Sequence, residues 1–293
     1  MMIKGAKNNH ANISKLSMRI LISIAFFTLL ERKFLGSTQL RFGPNKVSFW
    51  GWIQPILDGI KLLKKTNILN LKIYTTIYFF MSFAILILAL LIWAVMPFYL
   101  WNLKMLVLMW ILMVLGLSAF MILMIGWSSL SKFALLGSNR SISQVLSFEV
   151  NFTMLIFLPF VMKCSMTYAS FLSMSLNFLT ILLTGLTLVM EVQRAPADLS
   201  EGESELVSGY NTEYSSVLFT SIFLAEYSNM MSLNMLMLVL FFNKVYVSVF
   251  MIFITLMLLV RACYHEFSKT MKIIMEDIVQ KDIVQKSEIC FKS

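Results

Sequence analysis

Apolar runs long enough to cross a bilayer alternate with short polar stretches along most of the chain, at about residues 16 to 30, 73 to 98, 103 to 125, 144 to 162, 171 to 190, 217 to 240 and 245 to 260. A helix crossing the hydrocarbon core takes roughly 17 to 25 residues, a length that six of these segments support. The first is short and carries Arg19, so it spans only if that side chain snorkels to an interface. The pattern predicts an all-α fold, a polytopic membrane helix bundle of about seven spans.

The polar stretch after the first run, ERKFLGSTQLRFGPNKVSFWGWIQPILDGIKLLKK at 31 to 65, divides into two parts. Glu31 to Asn45 combines charges with Gly36 and the turn-forming Gly43-Pro44-Asn45, which predicts a tightly folded interfacial loop. Gly51 to Lys65 has helical periodicity: Trp52, Ile56, Ile60 and Leu63 share one face while Asp58, Lys61 and Lys65 fall opposite. This is the pattern of an amphipathic helix lying in the membrane surface.

A second polar stretch, EVQRAPADLSEGESELVSGYNTEY at 191 to 214, holds six of the fifteen acidic residues between two spans, which places the carboxylates at a membrane boundary. Within it Glu201, Glu203 and Glu205 alternate around Gly202 and Ser204, so their titrations should be coupled in a closed chamber. Arg194 and Asp198 suit loop-fastening ion pairs, and Asn211 and Glu213 are placed to line the same entrance. Glu149 and Glu226 lie inside apolar segments. A lone ionised carboxylate there costs several kcal/mol, about 3 or more, so each must be neutral, paired or bordered by water. Such residues are candidate proton carriers, with helix-packing hydrogen bonds or a fixed ion pair to a buried Arg as the structural alternative.

Composition narrows the function. The chain is 59% hydrophobic and 13% charged, which excludes a water-soluble domain. Of its 24 cations, 17 fall on the side holding residues 31 to 72, 126 to 143, 191 to 216 and 261 to 293, which makes that side the inside. The net charge of +9 is therefore mainly a topology signal, and no basic cluster with interleaved aromatics predicts nucleic-acid binding. Cys164, Cys263 and Cys290 share no CxxC spacing, and His10 and His265 lie far apart. No metal or iron–sulfur site is spelled out, and no GxGxxG or P-loop motif predicts a nucleotide or flavin.

The stretches ERKFLGSTQLRFGPNKV and APADLSEGESELVSGYNTEYSS resemble the two signature loops of the chain 1 family of NADH–quinone oxidoreductase, the quinone-chamber membrane subunit of respiratory complex I. GWSSLSKFALLGSNRSISQVLSFEV at 126 to 150 and LAEYSNM at 224 to 230 agree, and the resemblance runs from about Phe26 to Tyr264. It implies a subunit of eight membrane helices joining a hydrophilic redox arm to a proton-pumping arm. Ubiquinone would be the substrate, reduced near a terminal iron–sulfur cluster held by a partner subunit. Other complex I subunits, including neighbouring ones of the membrane arm, and membrane lipid would be the partners. The residues carried over are Glu31, Arg32, Arg41, Asp58, Arg140, Glu149, Glu191, Arg194, Asp198, Glu201, Glu203, Glu205, Glu213 and Glu226, as quinone-chamber and proton-relay candidates. For Arg41 and Arg140 the alternative is positive-inside topology and docking to a hydrophilic partner.

The two ends depart from the family. Residues 1 to 15 are polar and basic, and from His265 a polar tail replaces the expected eighth helix, with DIVQK duplicated at 277 to 281 and 282 to 286. The membrane domain is accordingly expected over 16 to 264. Two other readings remain open: an ion-translocating module of a hydrogenase or antiporter assembly, and a product that is not assembled. Usage of 23 Met and 25 Phe with few charges resembles a mitochondrially encoded inner-membrane chain, although a bacterial plasma-membrane homologue would share the loops.

Overall fold

The computed structural model of the chain describes residues 2–47, 49–66, 74–99, 105–163, 174–194, 197–198 and 209–242. Its helices are α1 (Met2–Thr38), α2 (Gln54–Lys64), α3 (Thr75–Tyr99), α4 (Met105–Ser128), α5 (Lys132–Lys163), α6 (Met174–Glu191) and α7 (Ser216–Phe242), with single 3-10 turns at Phe49–Gly51 and Gly209–Asn211. The protein is a helical membrane bundle. Among the described residues, three stretches are long and apolar enough to cross a membrane: Thr75–Met96, Leu106–Ser128 and Lys132–Leu158. Helices α1, α6 and α7 lie on the other predicted runs, and the run at 245 to 260 falls outside the described residues.

Two expected loops are helical instead. Glu31 to Thr38 continues α1, and the chain turns only after it, where Leu40 takes a left-handed φ of 54°. The charges there do not break the helix, because Glu31 is buried against another helix and Arg32 pairs outward. Similarly, α5 begins at Lys132 inside the stretch read as a connection. Its serines satisfy themselves within the helix: the Ser138 hydroxyl donates to the Leu135 carbonyl at 3.1 Å and that of Ser141 to the Ser138 carbonyl at 2.7 Å. The polar segment before residue 16 also lies in α1, from Met2 onward.

Helices α3, α4, α5 and α6 pack in sequence, each on the next, and α7 closes the ring by lying along α3 and touching α6. The ring helices are apolar on both faces because one side meets neighbours and the other meets lipid. On α3, Ile85, Ala89 and Ile92 are buried while Phe80, Ile87 and Leu91 are exposed.

Two apolar clusters stack inside the ring. One, towards the outer ends, joins Ile92, Leu108, Ile111, Phe152, Leu188 and Leu236. The other, towards the inner ends, joins Tyr78, Ile125, Tyr210, Tyr214, Leu218 and Ile222. Helix α1 docks outside the ring through Ile20, Ile24 and Phe27 against Tyr227, Met230 and Met231 of α7. The surface helix forms at Gln54–Lys64 with Pro55 in its first turn and none of its residues buried. It touches α1 and α7, and Trp52, Ile56, Ile60 and Leu63 are exposed, as are Lys61 and Lys65.

Candidate functional site

Helix α6 stops level with the middle of α5. The Gln144 amide of α5 donates to the carbonyls of Met190 at 2.9 Å and Ala197 at 2.7 Å, and Gln144 lies about 18 Å of helix beyond the start of α5 at 1.5 Å per residue. Gln193 takes a φ of 53°, which ends the helix, and its side-chain amide donates to the Ser141 carbonyl at 2.8 Å. The described part of the acidic stretch therefore begins inside the bundle, at Glu191 to Arg194, and returns at Gly209 to Glu213 to the inner ends of the helices, the boundary that the sequence pattern predicts, with Ala197, Gly209, Tyr210 and Asn211 buried. A close approach makes room for its return. A Cβ on Gly137 of α5 would stand 2.9 Å from the Tyr210 nitrogen and 3.0 Å from the Gly209 Cα, so only glycine lets that turn lie against the helix.

Between the two apolar clusters this arrangement encloses a small polar cavity of about 60 Å³, room for a few water molecules at about 10–15 Å³ each. Glu191, Arg194, Tyr210, Glu226 and Asn229 line it, with Ser118 and Ala119 of α4 opposite. Glu226 lies about 15 Å along α7 from Ser216, near the centre of a hydrocarbon layer about 30 Å thick. Its carboxylate pairs with the Arg194 guanidinium at 3.3 Å, both side chains being less than one-fifth exposed, and accepts a hydrogen bond from the Tyr210 hydroxyl. This is the buried arginine partner weighed above as the structural alternative for Glu226. One carboxylate oxygen of Glu191 and the Asn229 side-chain oxygen have no hydrogen-bond donor among the described residues. Two carboxyls thus border one space sized for water, and one of them, Glu226, pairs with the guanidinium.

The cluster extends outside the ring. Arg194 sits 4.7 Å over the Tyr227 ring, and the Tyr227 hydroxyl donates to Glu31 Oε2 at 2.7 Å. Phe27 and Phe223 pack that ring from the sides, at centroid distances of 5.8 and 4.6 Å. Glu31 is 5% exposed, so a carboxyl on α1 is joined through one tyrosine to the guanidinium beside Glu226.

Glu149, on α5, approaches the cluster from the far side. A Cβ on Gly116 would come within 2.9 Å of Glu149 Oε1, so the carboxyl lies directly against the α4 backbone.

Other predicted residues gather at the inner surface. Arg32 pairs with Asp58 of α2 at 2.8 Å, and Gln54 donates to the same carboxylate at 2.8 Å. Arg41 donates to the Gln39 side chain and, with Arg32 and Gln54, lines a cleft of about 560 Å³. Arg140 is exposed on α5 and Glu213 is half-buried just before α7, whereas Asp198, also half-buried, follows Ala197 deeper in the bundle. The backbone carbonyl of Glu213 accepts the Tyr78 hydroxyl at 2.6 Å. Tyr78 stacks on Tyr214 at 4.2 Å, and the Tyr214 hydroxyl meets Ser128 at 3.1 Å, latching the inner ends of α3, α4 and α7. Burial pushes the Tyr214 phenol above its ordinary range, opposed by the Ser128 hydrogen bond, so the latch stays protonated. Glu201, Glu203 and Glu205 lie outside the described residues.

Tyr210, Tyr227, Gln144 and Gly116 are the members of the site that charge counting missed. Only Tyr227 leaves a sequence signal, a phenol beside a carboxylate inside an apolar run.

The chain is 40% identical over 258 residues to NADH-ubiquinone oxidoreductase chain 1 of Apis mellifera ligustica, covering 84% of this chain and 82% of the relative. It is 40% identical over 233 residues to the protein of that name from Branchiostoma lanceolatum, covering 76% and 74%, and 39% identical over 256 residues to that of Locusta migratoria, covering 83% and 80%. A family model described as NADH dehydrogenase matches residues 11–275, and with it the chain belongs to the NADH-ubiquinone oxidoreductase chain 1 family.

Proposed function

We propose that the chain is a core membrane subunit of respiratory complex I in the mitochondrial inner membrane, forming the quinone chamber and coupling NADH-to-ubiquinone electron transfer to proton translocation. The names of its relatives support the enzyme. The observation that carries the coupling role is the buried cavity shared by Glu191, Arg194 and Glu226 at the centre of the bundle. Reduction of a quinone consumes two electrons and two protons, and the electrons come from a partner subunit's iron–sulfur chain. This chain holds the quinone's path and supplies carboxyls that respond to the change of charge. The cleft at Arg32, Arg41 and Gln54 opens on the inner surface, where a hydrophilic partner would dock and a quinone headgroup that becomes anionic would meet cations.

Glu226 accepts from both Arg194 and Tyr210, so a change of charge that draws the guanidinium away leaves it a carboxylate ready to take a proton. Waters in the cavity would carry that proton between Glu226 and Glu191, and Glu149 lies next in line across α4 and α5. Glu226→Gln keeps the shape and removes the proton site. Protons pumped per NADH should fall in sealed membranes while electron entry through the peripheral arm is retained. Unchanged coupled activity removes Glu226 from the relay.

A further inference from the structure

On the outside of the ring, away from the polar cluster, Leu16, Ile20 and Ser23 of α1 face Trp93 and Met96 of α3 and Met235 of α7 across a groove of about 290 Å³ with Arg19 at its edge. We propose that this groove binds an anionic phospholipid, its phosphate held by Arg19 and an acyl chain lying between α1, α3 and α7.

Depth is the first argument. Arg32 marks the inner boundary through its pair with the surface helix, and Arg19 is about 20 Å of helix away from it at 1.5 Å per residue. In a hydrocarbon layer about 30 Å thick that places the Arg19 backbone in the outer leaflet. Cα–Cβ bonds on a helix tilt towards its N-terminus, which for α1 is the outer end, so the long side chain reaches towards the outer phosphates.

The second argument is chemical. Arg19 is exposed, and among the described residues no carboxylate lies within ion-pair distance of it. The groove walls are already satisfied: the Trp93 indole N–H donates to the Ser228 carbonyl at 3.1 Å, and the Ser23 hydroxyl to the Ile20 carbonyl at 2.7 Å. What remains is an apolar slot ending in one guanidinium, which matches a hydrocarbon tail beneath a phosphate. A zwitterionic lipid brings an amine that competes for its own phosphate, so an anionic headgroup fits better.

The test uses the intact complex, independent of the proposed quinone role. A photoactivatable phosphatidylglycerol with a diazirine in its acyl chain, added to native membranes, should label residues 16–23 and 93–96 of the chain. Phosphatidylcholine bearing the same group should label them about 10-fold less. Arg19→Gln should weaken phosphatidylglycerol labelling about 10-fold or more, as loss of a charge-assisted hydrogen bond implies, while Arg19→Lys keeps part of it. Should Arg19→Gln prevent assembly, Ser23→Leu fills the groove with the cation intact and should abolish labelling there. Equal labelling by both lipids, or none of these residues labelled because a protein segment occupies the groove, overturns the proposal.

Discussion

Removing Arg194 should damage the assembly more than removing Arg194 and the charge on Glu226 together. In Arg194→Met the Glu226 carboxylate loses its only ion-pair partner among the described residues at a site less than one-fifth exposed. Breaking a buried pair this way costs about 3–5 kcal/mol. The 3.3 Å separation is not tight and the Tyr210 hydroxyl still serves the carboxylate, so the lower end, about 3 kcal/mol, applies. Such a loss is a factor of about 150 in the population of the intact state, at about 1.4 kcal/mol per factor of ten. In Arg194→Met with Glu226→Gln the remaining amide is neutral, and most of that loss should return. The assay is the fraction of complex surviving graded detergent or heat on a native gel, run for both single variants and the double as a thermodynamic cycle. A double variant no more stable than Arg194→Met would show that Arg194 acts through its packing on Tyr227 and refute the pairing argument.

Tyr227→Phe keeps the ring between Phe27 and Phe223 but strips the donor from buried Glu31, so it should cost about 1.5–3 kcal/mol of stability and lower quinone reductase activity more than peripheral-arm electron entry, both read on isolated complex. Gly116→Ala places a methyl 2.9 Å from Glu149 Oε1 and should displace that carboxyl, lowering protons pumped per NADH; an unchanged ratio would take Glu149 out of the path. Lys64→Gln with Lys65→Gln, at the exposed end of α2, should leave turnover within about twofold in a steady-state assay, surface substitutions being worth under about 0.5 kcal/mol. A large loss would make that end of α2 part of the site.

The helices of the ring were legible because a stretch of about twenty apolar residues has few alternatives in a membrane. Their ends were legible where polarity changes, as after residue 190, and not where charged residues continue a helix. Glu31 to Thr38 carries the charge of a loop, yet it continues α1 because Tyr227, far along the chain, supplies the partner that Glu31 needs. The end of α6 at Glu191 falls where the apolar run ends, but its depth in the bundle depends on Gln144 and Ser141, both on a different helix, so nothing local announces that depth. The carboxylates could be counted from the sequence, but which share a cavity is a long-range fact. Arg194 suited a loop-fastening ion pair, and it does fasten the loop, but to α7 through Glu226.

The early stop of α6 also has an electrical consequence. A connection at the inner boundary would leave Glu226 facing apolar helix, whereas the inward fold carries Arg194 and Glu191 to it, about 15 Å along α7. At an effective dielectric of about 20, a unit charge arriving at the inner boundary acts on a group about 15 Å away with about 1 kcal/mol. An energy of that size changes a two-state population about sixfold. By ending α6 there, the chain sets an opposite charge and a second carboxyl beside Glu226, so an event at the surface is felt by three groups in place of one.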